Sequence, residues 1–221
     1  MSNLIQIIKT GDGSQSLINT DLNETYHSMH GAVQESRHVF IERGLMFVLQ
    51  KNQDLTRVLE IGFGTGLNAI LTLDAAENSN RKIHYMTIDN FSLAGGIWKK
   101  LDFEISSREN FEKLHSSAWN QPSSITSFFE LHKVQNRAQD VMFERTSFDL
   151  VYFDAFAPSK QPEMWEVSIL EKMYGALRHG GVFVTYCAKG QVKRDLKSIG
   201  FVVETLEGPP GKKEMIRAVK S

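Results

Sequence analysis

A single cysteine, Cys187, excludes an internal disulfide, and its place in an apolar run reads as a buried thiol rather than a nucleophile. No segment approaches the ~18 consecutive apolar residues of a membrane span, and Met1 to Ser14 lacks the apolar stretch of an export signal. A cytoplasmic protein with no membrane partner is the expectation. Charge of one sign is also missing: 25 Lys and Arg face 26 Asp and Glu, so any nucleic-acid footprint has to be local. The chain has only five prolines, no Ser/Gly-rich linker and no internal repeat, which suits one core with an appendage. The division expected is residues 1–50, an N-terminal hairpin and lid, and residues 51–221, the main domain. His27, His30 and His38 cluster in sequence, but their spacing matches no familiar zinc arrangement, and no metal site is expected.

What is present centres on Val58-Leu59-Glu60-Ile61-Gly62-Phe63-Gly64-Thr65-Gly66-Leu67-Asn68. Val58, Leu59 and Ile61 read as a buried strand, and Leu67, Ile70 and Leu71 recur at helical spacing. The three glycines therefore fall on a strand-to-helix turn. Glycine permits positive φ and close backbone approach there, and the helix N-terminus offers unpaired N–H groups. Such a turn cradles a nucleotide-like cofactor, though it also serves simply to pack a helix tightly on a sheet. A dinucleotide fingerprint would need its third glycine where Leu67 stands.

Ahead of the turn, residues 4–9 and 15–20 flank Gly11–Ser14 as a hairpin. The polar stretch 24–38 reads as a lip carrying Tyr26 and runs into a helical pattern through Val39, Phe40, Leu45 and Val48. Beyond the turn, Ile83–Asp89 is a second strand ending in a carboxylate. Nucleotide-binding α/β folds bond ribose hydroxyls with an acid at that place; a solvated strand-end Asp is the alternative. Residues 92–125 hold two helices, with Trp98 and Trp119 as packing groups and the serine pairs as caps and turns. Strands at 127–132, 148–154, 182–186, 201–206 and 214–219 alternate with helices at 163–177 and 190–199. The pattern predicts an α/β fold with a mostly parallel seven-stranded sheet and helices on both faces. Its ligand crevice lies beyond the strand ends, between the first and fourth parallel strands. Asp154 closes the fourth of these and opens a loop stiffened by Pro158 and Pro162; it either caps the next turn or touches the substrate.

Glu60 followed by Gly62, Gly64 and Gly66 resembles motif I of the class I S-adenosylmethionine-dependent methyltransferases, in which the acid and the loop hold the methionine end of the cofactor. The resemblance implies a Rossmann-like fold and assigns Glu60, Gly62, Phe63, Gly64, Thr65 and Gly66 to S-adenosylmethionine, with Tyr26 from the lip and Asp89 on the ribose. Many such enzymes carry an acid after the third strand that reads the adenine amino group. Here His132-Lys133-Val134-Gln135 offers none, leaving Gln135 or the backbone for that contact. More closely, the chain is similar to the methyltransferase domain of the MnmC family and its stand-alone MnmD-type members, which modify uridine at the tRNA wobble position. The similarity rests on Tyr26-His27-Ser28, on Glu35-Ser36-Arg37-His38-Val39-Phe40, on the unbroken Gly62–Asn68 run and on Asp154 through Trp165. It extends to Gly211-Lys212-Lys213-Glu214-Met215, with the motif's first glycine displaced to Gly208.

That resemblance implies methyl transfer to the aminomethyl nitrogen of 5-aminomethyl-2-thiouridine in tRNA, with Asp154 serving the amine and Phe156, Pro158, Lys160 and Trp165 on the substrate side. The oxidase half of the fused members has no room in 221 residues, so a separate oxidase or other supplier of the aminomethyl group is expected. From Cys187 to Ser221, eight Lys and Arg face four acids, a local basic surplus. Lys212 and Lys213, on a glycine-bounded loop, are candidate phosphate holders; Lys193 and Lys197 fit an ordinary solvated helix face equally well. Two other readings share the fold: a methyl- or aminopropyltransferase acting on a small amine, and a non-catalytic RNA-binding protein.

Overall fold

The computed structural model describes residues 5–51, 53–103 and 106–221. Strands β1 (Ile5–Lys9), β2 (Gln15–Asn19) and β3 (Glu24–Thr25) form a small antiparallel sheet. The expected hairpin is there with a third strand added; Leu4, at its expected start, lies outside the described residues. Helix α1 (Ala32–Ser36) continues through a π-helical stretch, Arg37–Leu45, into α2 (Met46–Leu49). Then β4 (Leu55–Ile61), α3 (Leu67–Ser79) and β5 (Lys82–Asp89) make a parallel unit. A one-turn helix, α4 (Gly95–Trp98), and α5 (Arg108–Ser116) fill the long crossover. Ser107 caps α5 by accepting from the Asn110 N–H at 3.1 Å, as the serine pairs predict.

Next come β6 (Pro122–Ser124), β7 (Phe129–Gln135) and β8 (Phe148–Phe153). A 3-10 turn at Pro162–Trp165 precedes α6 (Val167–Ala176), so the helix expected from residue 163 is broken at Glu166, whose extended backbone starts α6 afresh. Strand β9 (Leu177–Thr185), helix α7 (Gly190–Ile199) and the hairpin β10 (Phe201–Glu207) and β11 (Glu214–Lys220) complete the chain. The main sheet runs β10-β11-β9-β8-β4-β5-β7-β6. It has eight strands among the described residues, one more than expected. The extra strand, β6, pairs antiparallel with β7 on the outer edge, where a proline N-terminal residue costs no ladder bond.

Alternation of apolar residues explains the layers. Val58, Leu150, Tyr152, Val182 and Val184 belong to a buried cluster with the N-terminal helices, α3 and α5. Leu59, Val151, Phe153 and Phe183, their strand neighbours, belong to another with α6 and α7. Period-2 packing on both faces requires cover on both, and helices supply it. Leu17, Ala32 and Val39 lie in the first cluster, so the N-terminal segment shares apolar burial with the sheet. No described helix is long and apolar enough to cross a membrane.

One buried cation fixes a helix end beside the site. Lys133 is 1% exposed and donates to His115 O at 2.9 Å and to Leu114 O at 2.8 Å, which also accepts from Ser117 Oγ, at the end of α5. Burial pushes its ammonium down to about 8. Lys133→Met removes both donors while keeping bulk, and a loss of about 1–3 kcal/mol in urea denaturation is expected.

Candidate active site

Strand order reverses between β4 and its parallel neighbours, β5 on one side and β8 on the other. Beyond their carboxyl ends opens a cavity of about 710 Å³, within the usual range for small-molecule sites. The strand ends are tied together there. Asp154 N–H donates to Ile61 O at 3.1 Å, and Gly62 N–H to Ile88 O at 2.9 Å.

The glycine turn has the conformation its sequence requires. Gly62, Gly64 and Gly66 have φ of 95°, 51° and 74°. A Cβ at Gly62 would stand 3.0 Å from Asp154 O and one at Gly64 3.3 Å from Tyr26 Cδ1. Gly62, Phe63, Gly64 and Thr65 line the cavity, whereas Gly66 packs beneath His115. His27 and His115 grip Thr65 from two sides. His27 Nε2 lies 3.3 Å from Thr65 Oγ1, and His115 Nε2 lies 3.0 Å from Thr65 O. Burial pushes both imidazoles down to about 4, so they are neutral near pH 7. Trp98 stacks on His115 at 4.8 Å and Trp119 meets Phe63 edge-on at 6.0 Å, both in packing roles.

Asp89 lies on the cavity wall. Its two oxygens accept from Gly64 N–H and Phe91 N–H, each at 2.9 Å, and burial raises its pKa against those bonds. Tyr26 faces it across the turn and meets Phe156 edge-on at 5.2 Å. Burial, reinforced by the Asp89 charge, pushes Tyr26 up to about 12.

Glu60 is not where its motif suggested. It is fully buried, absent from the cavity wall, and neither carboxylate oxygen has a partner of hydrogen-bonding geometry. Its register neighbours are Thr87 on β5 and Tyr152 on β8, so it points into the helix layer with Val58 instead of off the strand end. Burial holds its pKa well above the carboxylate range. Gln135 is exposed at the end of β7 and also lies off the wall; Asn136, Ala138 and Gln139 line that side.

On the other side stands Asp154. It lines the cavity, and its Oδ2 accepts from Asn68 Nδ2 at 2.8 Å. Burial and then the Glu35 charge push it up to about 7, against the Asn68 bond and the Lys212 charge. Glu35, Asn68 and Tyr186 share the wall with it, and sequence reasoning gave none of them a first role. Asn68 was marked only as a motif position and Glu35 as a motif position and the fallback partner for the acceptor; Tyr186 had no signal beyond closing a strand.

The loop after Asp154 is held, as its prolines suggest, but by unforeseen contacts. Trp165 Nε1–H donates to Phe156 O at 2.7 Å from a buried position against Phe153. Lys160 Nζ donates to Leu22 O at 3.0 Å and Asn23 O at 3.1 Å, clasping the loop to the N-terminal sheet. Of the four residues expected on the substrate side, Phe156 lines the cavity; Pro158, Lys160 and Trp165 do not. Lys212 lines it too, while Lys213 is exposed outside. The three histidines close in sequence make separate contacts: His27 with Thr65, His30 on Gly211, and His38, whose Nε2 lies 2.8 Å from Glu207 O.

Comparison with known proteins agrees with this geometry. A family profile described as S-adenosyl-L-methionine-dependent methyltransferase matches residues 127–221. The crystal structure of MNMC2 from Aquifex aeolicus superposes with a TM-score of 0.81 at 26% identity, covering 97% of this chain and 69% of that one. The chain is similar to the S-adenosyl-L-methionine-dependent methyltransferases, by the family profile over residues 127–221. Its cofactor is S-adenosylmethionine. The tRNA 5-methylaminomethyl-2-thiouridine biosynthesis bifunctional protein MnmC of Leptospira borgpetersenii is 28% identical over 207 residues, 88% of this methyltransferase and 32% of the relative. That of Pseudoalteromonas atlantica is 27% identical over 242 residues, covering 96% and 34%. The methyltransferase thus spans about a third of the length of these relatives. Spermidine synthase from Thermotoga maritima shares the fold alone, with a TM-score of 0.53 at 12% identity.

The cavity fits the cofactor in size, in its positive-φ glycine cradle and in its exposed wall of backbone and Asp89. Gly64→Val places a branched side chain against Tyr26 at a φ that such residues avoid. Calorimetry should show S-adenosylmethionine binding lost, with far-UV circular dichroism unchanged.

Proposed function

We propose that this methyltransferase acts on the aminomethyl nitrogen of 5-aminomethyl-2-thiouridine at the tRNA wobble position, giving the methylaminomethyl form. The observation that carries the reading is Asp154. It is a cavity carboxyl held near the pKa that suits a base at neutral pH, with a second carboxylate, Glu35, on the same wall. The similarity to MnmC proteins supports the choice of amine.

An alkylamine resembles lysine, with a solution pKa of roughly 10, and arrives as an ammonium without a lone pair. Two carboxylates attract that cation. Asp154, ionised, accepts its proton, and the Asn68 amide holds the carboxylate in place while this happens. Bound S-adenosylmethionine supplies a methyl group already activated on a sulfonium, so the chain needs chiefly to align a neutral amine with it. In this reading Gly62–Thr65, Tyr26 and Asp89 hold the cofactor, and Glu60 supports the turn from beneath. Phe156, edge-on to Tyr26 on the cavity wall, is the aromatic surface for the incoming base.

One observation favours the small-amine reading as the second choice. Much of the C-terminal basic surplus is paired internally: Lys193 with Glu214, Lys212 with Glu35 and Arg217 with Glu204. Lys189, Lys197 and Lys213 keep exposed side chains for phosphates. Methylation of aminomethyl-bearing tRNA, with free polyamines left untouched, separates the two readings.

Asp154→Asn keeps size and the Asn68 contact but removes the base. Single-turnover methylation of aminomethyl tRNA should fall ~10²–10⁴-fold, recovering partly towards about pH 10, where the amine sheds its proton unaided. S-adenosylmethionine affinity should be unchanged. Near-wild-type rates throughout would remove Asp154 from the chemistry.

A further inference from the structure

Lys212 has the sequence context of a phosphate holder, yet its ammonium turns inward. Nζ lies 2.5 Å from Glu35 Oε1 and 3.8 Å from the centre of the Tyr186 ring. Glu35 is itself fixed: its side chain is 7% exposed and Oε2 accepts from Ser28 N–H at 2.7 Å. The loop that delivers Lys212 is closed by Gly208 N–H to Lys213 O at 3.1 Å and Lys212 N–H to Pro209 O at 2.9 Å. Lys212, Glu35, Tyr186 and Asp154 share one cavity wall. An ion pair drawn into a cavity pays a desolvation cost that an exposed pair avoids, and packing alone gives no reason for it.

Resting on the amine-acceptor reading above, we propose that Lys212 is a positioning residue for methyl transfer, a fixed positive charge anchored by Glu35 that opposes the ammonium form of the bound acceptor. The physical need is specific. Carboxylates that attract the acceptor also stabilise its charged form, which cannot attack a methyl group. A cation held on the same wall works the other way, because two like charges a few ångströms apart repel and one of them gives up its proton. Lys212 is held in place by its ion pair with Glu35, and the acceptor is the group that yields a proton. Its N–H bond breaks, an O–H bond forms on Asp154, and the lone pair stays on nitrogen.

The same pair acts on Asp154 in opposite senses, Glu35 raising its pKa and Lys212 lowering it. From the other elements Asp154 faces Asn68 of α3, and its charge is coupled to Glu60 of β4 and to Tyr85 and Tyr186. Removing either member of the pair therefore gives a signed result that a structural role would not.

The test is a carbon-13 NMR titration of the Asp154 carboxyl in the cofactor-free protein, for wild type, Lys212→Met, Lys212→Arg and Glu35→Gln. Lys212→Met should raise the midpoint by about one pH unit and Glu35→Gln should lower it by a similar amount, with Lys212→Arg near wild type. The acid limb of kcat/KM on aminomethyl tRNA should move in the same directions, and urea midpoints confirm that each variant is folded. Midpoints that stay in place, or that move together, overturn the proposal even in an active enzyme. A Lys212 that holds phosphate would instead alter the salt dependence of KM and leave the midpoints alone, which also overturns it. A wild-type protein without activity on aminomethyl tRNA would remove the acceptor reading itself, a failure visible before any variant is made.

Discussion

A carboxyl group just past the C-terminal end of β8 has to leave water and still be able to ionise, and most of the site answers to that constraint. Burial alone drives Asp154 towards its neutral form, and Glu35 adds to the drive. The Asn68 amide and the Lys212 ammonium oppose them, so the group comes to rest near 7. Asn68 stands where it does because α3 begins immediately after the glycine turn, on a helix N-cap whose left-handed φ only the turn's last glycine tolerates easily. Turn, helix start and acid are therefore one arrangement. Behind them lies Glu60, whose pKa burial holds well above the carboxylate range. A charged Glu60 would be a second buried anion behind Asp154, and burial works against that charge.

The N-terminal segment completes the crevice by making side walls that a bare sheet lacks. Tyr26 closes over Gly64, His27 reaches Thr65, and Lys160 returns from the far loop to the backbone at Leu22 and Asn23. Because His27 and His115 are buried and neutral, the turn between them is held by hydrogen bonds rather than charge, and the positive end that a bound sulfonium brings meets no imidazolium. Charge interactions are stronger where a group is drawn out of water, as the Glu35 carboxylate is by its 7% exposure.

What was legible in the sequence was whatever a local pattern dictates. The glycine turn, Asp89 at a strand end and Asp154 at another follow from strand period and turn chemistry, and all three meet at the cavity. Side-chain direction was harder. Glu60 was assigned to the cofactor because it adjoins the glycines, yet it shares a strand face with Val58, and that alternation already pointed it into the helix layer. Lys160, Trp165 and Lys212 were assigned to substrate because they are polar or aromatic in motif loops. Their partners, carbonyls at 22, 23 and 156 and the Glu35 carboxylate, come from chain segments no local pattern could bring near. Strand β6 was hidden for another reason. Three residues with a proline carry too little β signal, and pairing with β7 overrides it.

On the proposed amine-acceptor reading, the energetics of proton removal account for a site that combines burial with a cation. An amine of pKa roughly 10 facing an acid at about 7 leaves a gap of about three pH units, roughly 4 kcal/mol against transfer. Burial acts on both partners in the same direction, since it replaces an ammonium–carboxylate pair by two neutral groups, and neutral groups lose less on leaving water. The attraction within the ion pair resists this. A nearby cation tips the balance because it repels the ammonium and does not repel the neutral amine. It also favours ionised Asp154 before the acceptor arrives, so its two effects fall at different moments: one readies the base, the other releases the lone pair. Glu35 keeps that cation in place and offsets its charge at a distance, so the cavity as a whole still attracts an ammonium. An alcohol acceptor would bring no positive charge for these carboxylates to attract and none for Lys212 to oppose, and the discrimination between the two lies in that charge.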